Sequence, residues 1–311
     1  MSAEHDLDGL RPYQPDDLPR LLRFVGERCA LTDFCGCLHP GDVCHAMSNA
    51  LRGRDLDRYI HVYEDADGSI KALVVLHPVR YSAYDLLVDP SLRDGELETR
   101  LIAWGERAEW RLVQQAGSNQ TQVTIAVMDC DGLLRERLLK QGYQADAAPV
   151  MMVTTRALED AIPPSVVPEG FSIRSVSGEH EAARLSETHS SAFGSKWTPD
   201  EYVRMMRTPG FEIERELVVV APDGRFAAFL IYWLDPVTQS GLFEPVGCHA
   251  DFRRRGLTRA LMYEGMRRMA ARGMTSAIVL YHVDNAASTA LYRSVGFAPK
   301  YTLTDFRKTM Q

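Results

Sequence analysis

The sequence predicts an α/β (α+β) protein made of two tandem units, each a mixed, mostly antiparallel sheet flanked by helices. Three observations predict it. An element order occurs twice along the 311 residues, a proline-rich break separates the copies, and apolar patterns alternate between the strand period of two and the helical period of 3.6. At about 150 residues per domain the length also suits two units.

The first copy opens with a strand-like Leu10-Arg11-Pro12-Tyr13 and a helix starting near Asp16-Asp17, acids suited to the positive end of a helix. A second short helix is expected from Pro40 to Leu51. Strands follow at Tyr59 to Tyr63 and Ile70 to Leu76, joined through Asp67-Gly68. The copy then runs strand, helix, strand, helix, strand: Tyr84 to Val88, Glu96 to Ala116, Gln122 to Met128, Gly132 to Gln141 and Val150 to Thr155. The second copy repeats this order. Phe171 to Arg174 is followed by helices at Glu179 to Phe193 and Pro199 to Thr208. Strands Leu217 to Ala221 and Arg225 to Leu234 turn at Asp223-Gly224. Last come Leu242 to His249, Gly256 to Arg272, Ala277 to Val283, Ala286 to Val295 and Tyr301 to Arg307. Gly142-Tyr143 and Gly296-Phe297 stop the last helix of each copy in the same way, a glycine cap followed by an aromatic anchor. Ile162-Pro163-Pro164-Ser165-Val166-Val167-Pro168 reads as a semi-rigid connector. The expected division is therefore 1–158, a linker at 159–170, and 171–311.

Composition narrows the function. A hydrophobic share of 45% with 25% charged residues is ordinary for a globular chain and too apolar for a disordered one. The net charge of −7 has the wrong sign for a general nucleic-acid binder, so no nucleic-acid partner is expected. The longest apolar run, Phe226 to Leu234, is far shorter than the ~18 residues a bilayer span needs. Met1 to Asp6 has no basic start and no apolar stretch behind it, unlike a secretory signal. Six unevenly placed cysteines read as reduced thiols of a cytoplasmic protein rather than a disulfide framework.

The chemistry is expected in the second copy. Arg253-Arg254-Arg255-Gly256-Leu257-Thr258 follows a strand and opens a helix whose Leu257, Leu261, Met262, Met266 and Met269 recur at helical spacing. Such a turn presents unpaired N–H groups at the positive end of a helix dipole, and its glycine lets an anion approach the backbone. The order Arg253, Gly256, Thr258 after a strand resembles the acyl-CoA-binding motif of the GNAT superfamily of N-acetyltransferases, with Thr258 where glycine or alanine is usual. Asn285-Ala286-Ala287-Ser288-Thr289-Ala290-Leu291-Tyr292 with Gly296-Phe297 resembles the family's second motif, in the right order and spacing.

The resemblance implies two tandem GNAT folds, each with a splayed sheet, and acetyl-CoA as co-substrate. Main-chain amides of about Arg254 to Ala260 would hold the pyrophosphate, with Arg253, Arg254, Arg255, Gly256, Leu257, Thr258 and Arg259 around it. The pantetheine arm would lie along Val246, Gly247 and Cys248 like an added strand, and Asn285 and Ser288 would reach it from the next helix. Pro245 lacks a ladder donor, so it marks a bulge in a strand that should otherwise be central.

Acetyl transfer to an amine needs a proton acceptor, a donor for the developing oxyanion and an acid for the thiolate. Tyr292 matches the family's acid, and a core aromatic is the plainer reading. Glu244, nine positions before Arg253, is the candidate base; pairing with a loop arginine or attracting the ammonium are its other readings. Asn285 suits a simple N-cap as well as a cofactor contact. His249 is read as structural, with His282 and Asp284 as further groups beside the cleft. Trp197, Tyr202, Tyr232, Trp233 and Phe243 either line the acceptor site or belong to the core.

In the first copy Arg93-Asp94-Gly95-Glu96-Leu97-Glu98 stands where Arg253 to Thr258 stand. Two carboxylates there would repel a pyrophosphate by on the order of a few kcal/mol. Leu138 takes the place of Tyr292 and Asp131 that of Asn285, so this copy is expected to bind no CoA and to serve as scaffold. Cys29, Asp33, Cys35, Cys37, His39, Cys44 and His45 crowd together. Their spacing is not a paired zinc framework, so buried free thiols are expected and no metal. The reading is a monomeric or homodimeric N-acetyltransferase of a small-molecule amine, with acetylation of a protein lysine or N-terminus, or a non-catalytic acyl-CoA sensor, as alternatives.

Overall fold

The computed structural model describes residues 7–77 and 81–310; the leader reading of Met1 to Asp6 lies outside them. In chain order the elements are β1 (Leu10–Pro12), α1 (Leu18–Thr32), α2 (Pro40–His45), β2 (Ile60–Glu64), β3 (Ile70–Leu76), β4 (Tyr84–Val88), α3 (Glu96–Gln115), β5 (Gln122–Met128), α4 (Gly132–Lys140), β6 (Gln144–Ala145) and β7 (Met151–Ala157). They continue as β8 (Ser172–Ser175), α5 (Ala182–Phe193), α6 (Pro199–Met206), β9 (Glu216–Val220), β10 (Phe226–Asp235), β11 (Ser240–Cys248), α7 (Leu257–Ala271), β12 (Ser276–His282), α8 (Ala286–Ser294) and β13 (Ala298–Thr309). Both copies of the repeated order are present.

The packing units do not follow the expected division. One unit holds the chain through Leu38, Arg54–Met152 and the end from Tyr301; the other holds His39–Gly53 and Val153–Lys300. Last strands are exchanged. β13 pairs antiparallel with β5 from Leu303↔Met128 to Thr309↔Gln122, whereas β7 adjoins β12, and the Thr154 hydroxyl donates to the Val279 carbonyl. Sequence order alone hides this, because either strand satisfies either sheet edge by its pattern. The expected linker also packs: Ile162 and Val167 rest on the second unit's core, and the Arg267 guanidinium donates to the Pro163 carbonyl at 2.6 Å.

In the first unit β1, β2, β3 and β4 form an antiparallel sheet, and Ala83, just before β4, forms a parallel bridge to Thr124 of β5. The second unit orders its strands β8-β9-β10-β11-β12-β7. Strand β10 is central, which accounts for its unbroken apolar run. Leu257, Leu261, Met262, Met266 and Met269 of α7 are all buried against this sheet. The helix lies close to β11 because small residues face it. A Cβ on Gly265 would stand 2.5 Å from the Phe243 ring, and one on Gly241 would stand 2.5 Å from the Met269 sulfur. Gly265→Ala is therefore expected to cost about 1–3 kcal/mol by overpacking, read as a lowered urea midpoint with unchanged slope.

The cysteines overturn the expectation of free thiols. Cys29 is bonded to Cys37 and Cys35 to Cys130, with Cα separations of 5.6 and 5.9 Å; Cys44 and Cys248 remain free. Left-handed backbone at Asp33, Phe34 and Gly36 folds the chain after α1 back on itself, and Cys130 arrives from 95 residues away. That second pairing has no local signature. Among the described residues no helix is long and apolar enough to cross a membrane.

Candidate active site

Two parallel strands of the second unit begin together and then part. β11 pairs with β12 only over Ser240↔Ser276 to Leu242↔Ile278. On its other side, β11 shifts register against β10 between Phe243↔Tyr232 and Val246↔Leu230, so Glu244 and Pro245 oppose the single residue Ile231. This is the bulge that Pro245 required. Past Leu242 the β12-facing edge of β11 has no partner strand among the described residues, and a cleft of about 760 Å³ opens beside it.

The expected cofactor residues meet in that cleft. Val246, Gly247 and Cys248 line it from β11, Arg253 to Arg259 from the turn into α7, and Asn285, Ser288 and Tyr292 from α8. The N-cap of α7 is Gly256 at φ 74°, with no capping side chain, so the helix presents its first amides to the cleft. A Cβ on Gly247 would collide with the Phe229 ring, so a side chain there would push β11 out of line. Ala192, Phe193 and Phe252 line the cleft as well and were not singled out by sequence, having no motif of their own.

Individual side chains divide differently from the motif. Arg253 donates to the carbonyl of Ala192 at 3.1 Å, bracing the end of α5. Arg255 reaches the Asp251 carbonyl at 3.4 Å, with its guanidinium 5.5 Å above the Phe252 ring. Asn285 caps α8 by accepting from the Ser288 amide at 3.0 Å, which spends its oxygen locally. His249 caps the short helical turn that precedes Arg253, a structural task. His282 and Asp284 are exposed and do not line the cleft.

Tyr292 is 6% exposed, with the Tyr281 ring 5.2 Å away. Burial, and then the negative field of Glu244, hold its phenol above the ordinary value, so it stays protonated. Glu244 lies outside the cleft lining. Its carbonyl accepts from the Trp233 indole at 2.7 Å, and its carboxyl stands 3.6 Å from His45 Nε2. Desolvation raises the Glu244 carboxyl to about 7, and a hydrogen bond with Asp42 works against that rise. Asp42 is raised well above the ordinary range by burial and by the Glu244 charge, while burial pushes His45 down to about 4. None of the arginines pairs with Glu244 among the described residues, which removes that reading.

Asp42 and His45 were missed as site residues. Both come from the segment His39–Gly53 that belongs to the second unit. A local signal existed: His39 at the N-cap, Pro40 at the first helical position and Asp42 as the capping-box partner open α2. Of the aromatics, Trp233 anchors Glu244, and Trp197 lies 3.9 Å beneath the Arg52 guanidinium. Tyr232 and Phe243 are core. Tyr202 is buried, with its hydroxyl donating to Glu216 at 2.5 Å.

In the first unit the equivalent turn carries a buried carboxylate of its own. Glu98, 1% exposed, accepts from the Asp94 amide at 2.9 Å and pairs with Arg93 at 2.5 Å and Arg137 at 3.3 Å. Asp131 caps α4 and pairs with Arg93 at 2.7 Å. The carboxylate reaches back to the amide of Asp94, just ahead of the helix, and sets a negative charge at the head of α3.

Residues 182–297 match the model of the acetyltransferase (GNAT) family. The chain is 32% identical over 309 residues to a mycothiol acetyltransferase of Streptomyces bingchenggensis, covering 94% of this chain and 92% of that one. A mycothiol acetyltransferase of Paenarthrobacter aurescens is 28% identical over 267 residues, covering 81% and 77%. Among solved structures, a GCN5-related N-acetyltransferase from Sphaerobacter thermophilus shares the fold at TM-score 0.64 and 22% identity, over 96% of this chain and 95% of that one. A tandem GNAT protein from the clavulanic acid biosynthesis pathway does so at TM-score 0.61 and 15% identity, over 96% and 98%.

Proposed function

This chain belongs to the GNAT family and is an N-acetyltransferase, and from that premise we propose that its second unit transfers acetyl from acetyl-CoA to the amine of a small molecule. The observation that carries the proposal is the uncapped turn at the head of α7, opening on the same cleft as Tyr292, with Glu244 behind the bulge of the strand between them. The donor set suits a diphosphate: free helix amides, a left-handed glycine, and arginines in an otherwise acidic chain. When bound there, acetyl-CoA supplies the activated acetyl group as a thioester.

The protein's own residues supply the rest. Glu244, ionising near 7, takes the proton of the incoming ammonium directly or through one water, and thereby frees the amine lone pair. Tyr292, kept neutral by burial, holds the proton that the departing thiolate needs. The unpaired edge of β11 at Val246, Gly247 and Cys248 offers main-chain hydrogen bonds to an extended pantetheine arm. The first unit, its turn carrying the Glu98 carboxylate, binds no CoA and acts as scaffold. We place the reaction in the cytoplasm, where acetyl-CoA is at hand.

The relatives named mycothiol acetyltransferase put mycothiol-related amines on the acceptor panel, beside polyamines and aminoglycosides. Purified protein given acetyl-CoA and each amine should release CoA thiol with at least one of them and acetylate it. CoA binding without thiol release across the panel, or acetylation found by mass spectrometry only on proteins, would overturn the small-molecule reading.

A further inference from the structure

We propose that Asp42 is the positioning residue of Glu244: its carboxyl is pinned at the head of α2, one helical turn before His45, whose ring stands 3.6 Å from the Glu244 carboxyl. This rests on the reading of Glu244 as base and adds a residue from a distant part of the chain to that site.

The placement is over-determined. Asp42 is the third residue of α2, where one carboxyl oxygen accepts from the His39 amide at 2.7 Å, while the His39 ring accepts from the Gly41 amide at 2.9 Å. Gly41 has no room for a Cβ against Trp233, so α2 lies directly on β10 at the residue whose indole holds the Glu244 carbonyl. His39 Nε2 meets the Ser240 hydroxyl at 3.1 Å, which fixes α2 to the start of β11. Both ends of the contact are therefore tied to the same two strands.

The chemistry of the pair follows from its donors. An oxygen of Asp42 already accepts from His39, so the carboxyl meets Glu244 as a donor when it keeps its proton. Two carboxylates in contact without an intervening cation do not both ionise at neutral pH, and the pair carries one proton. The groups facing the pair are His45 and Asn49 of the same segment, Trp233 of β10 and Tyr292 of α8; Cys44 stands near Asp42. Among these groups none is cationic at neutral pH, since burial keeps His45 neutral, and Arg215 acts on Cys44 together with Glu212. Asp42 thus stays protonated and donates, while Glu244 ionises and is held in one orientation.

Asparagine reproduces both bonds, its oxygen accepting from His39 and its amide nitrogen donating to Glu244. Alanine makes neither. Two measurements on D42N, D42A, E244Q and the unaltered protein test the idea. The first is carbon-13 carboxyl NMR titration, with the Glu244 signal assigned by its absence in E244Q. D42A is expected to move the Glu244 midpoint upward by about one pH unit, because a bond to the charged form is lost, and D42N to leave it within a few tenths. The second is the pH profile of kcat/KM with the most active amine of the panel; its acidic limb should follow the same pattern. Equal behaviour of D42N and D42A, or an unmoved midpoint in D42A, overturns the role of Asp42. Retained turnover in E244Q instead overturns the base, and the NMR titration still decides the pairing.

Discussion

Glu244→Gln is expected to lower kcat/KM by about 10²- to 10⁴-fold, the range that a lost general base covers. Gln keeps the length of the side chain and can still meet Asp42 and His45, so what disappears is the capacity to take a proton. The pH profile gives an independent sign. With Glu244 ionising near 7, activity of the unaltered protein falls as the pH drops through that value, and the residual activity of the Gln variant lacks this limb. Stability moves the other way. The carboxyl is raised from its ordinary 4.5 to about 7 in the folded chain, so the fold binds extra protons between those values and loses stability as pH rises across them. At pH 8 the Gln variant should therefore melt no lower than the unaltered protein. A variant that turns over normally, or one that is inactive only because it is unfolded at pH 8, would rule out the assignment.

Glu98→Ala is expected to destabilise the protein by about 3–5 kcal/mol, seen as a lowered urea midpoint, because it leaves buried positive charge without its partner. Arg93 and Arg137 are only 13% and 14% exposed, and both turn on this one carboxylate, which is itself 1% exposed. Asp131 retains part of Arg93 and Asp94 part of Arg137, which keeps the effect below complete unfolding. A loss under about 1 kcal/mol would mean that the cluster behaves as solvated surface pairs. Calorimetry with acetyl-CoA should give one site per chain both before and after the substitution, since Glu96 and Asp131 still oppose a pyrophosphate in the first unit. A second site in either protein would restore a binding role to that unit.

Much of the second unit was legible because its signals are local. A strand, a glycine in a left-handed turn and an amphipathic helix have to be contiguous to present amides to an anion, so Arg253 to Thr258 carry their meaning in order. Pro245 announced the bulge for the same reason: a residue without a ladder donor disturbs the strand in which it sits. The contacts of individual side chains were not legible. Arg253 lines the cleft yet also braces α5 through the Ala192 carbonyl, a choice made by a neighbour 61 positions away, and Asn285 spends its oxygen on its own helix.

By itself the sequence determined the doubled element order, the glycine turn into α7 and the carboxylate-bearing turn into α3, since each depends on residues within a few positions of one another. Only the tertiary structure decided that β7 and β13 change places between units, that Cys35 finds Cys130, and that α2 brings His45 to Glu244, 199 positions further on. Periodicity specifies which face of an element is buried but not which sheet edge or cleft receives it, because hydrophobic burial is non-directional and the partner is selected by packing of the whole chain.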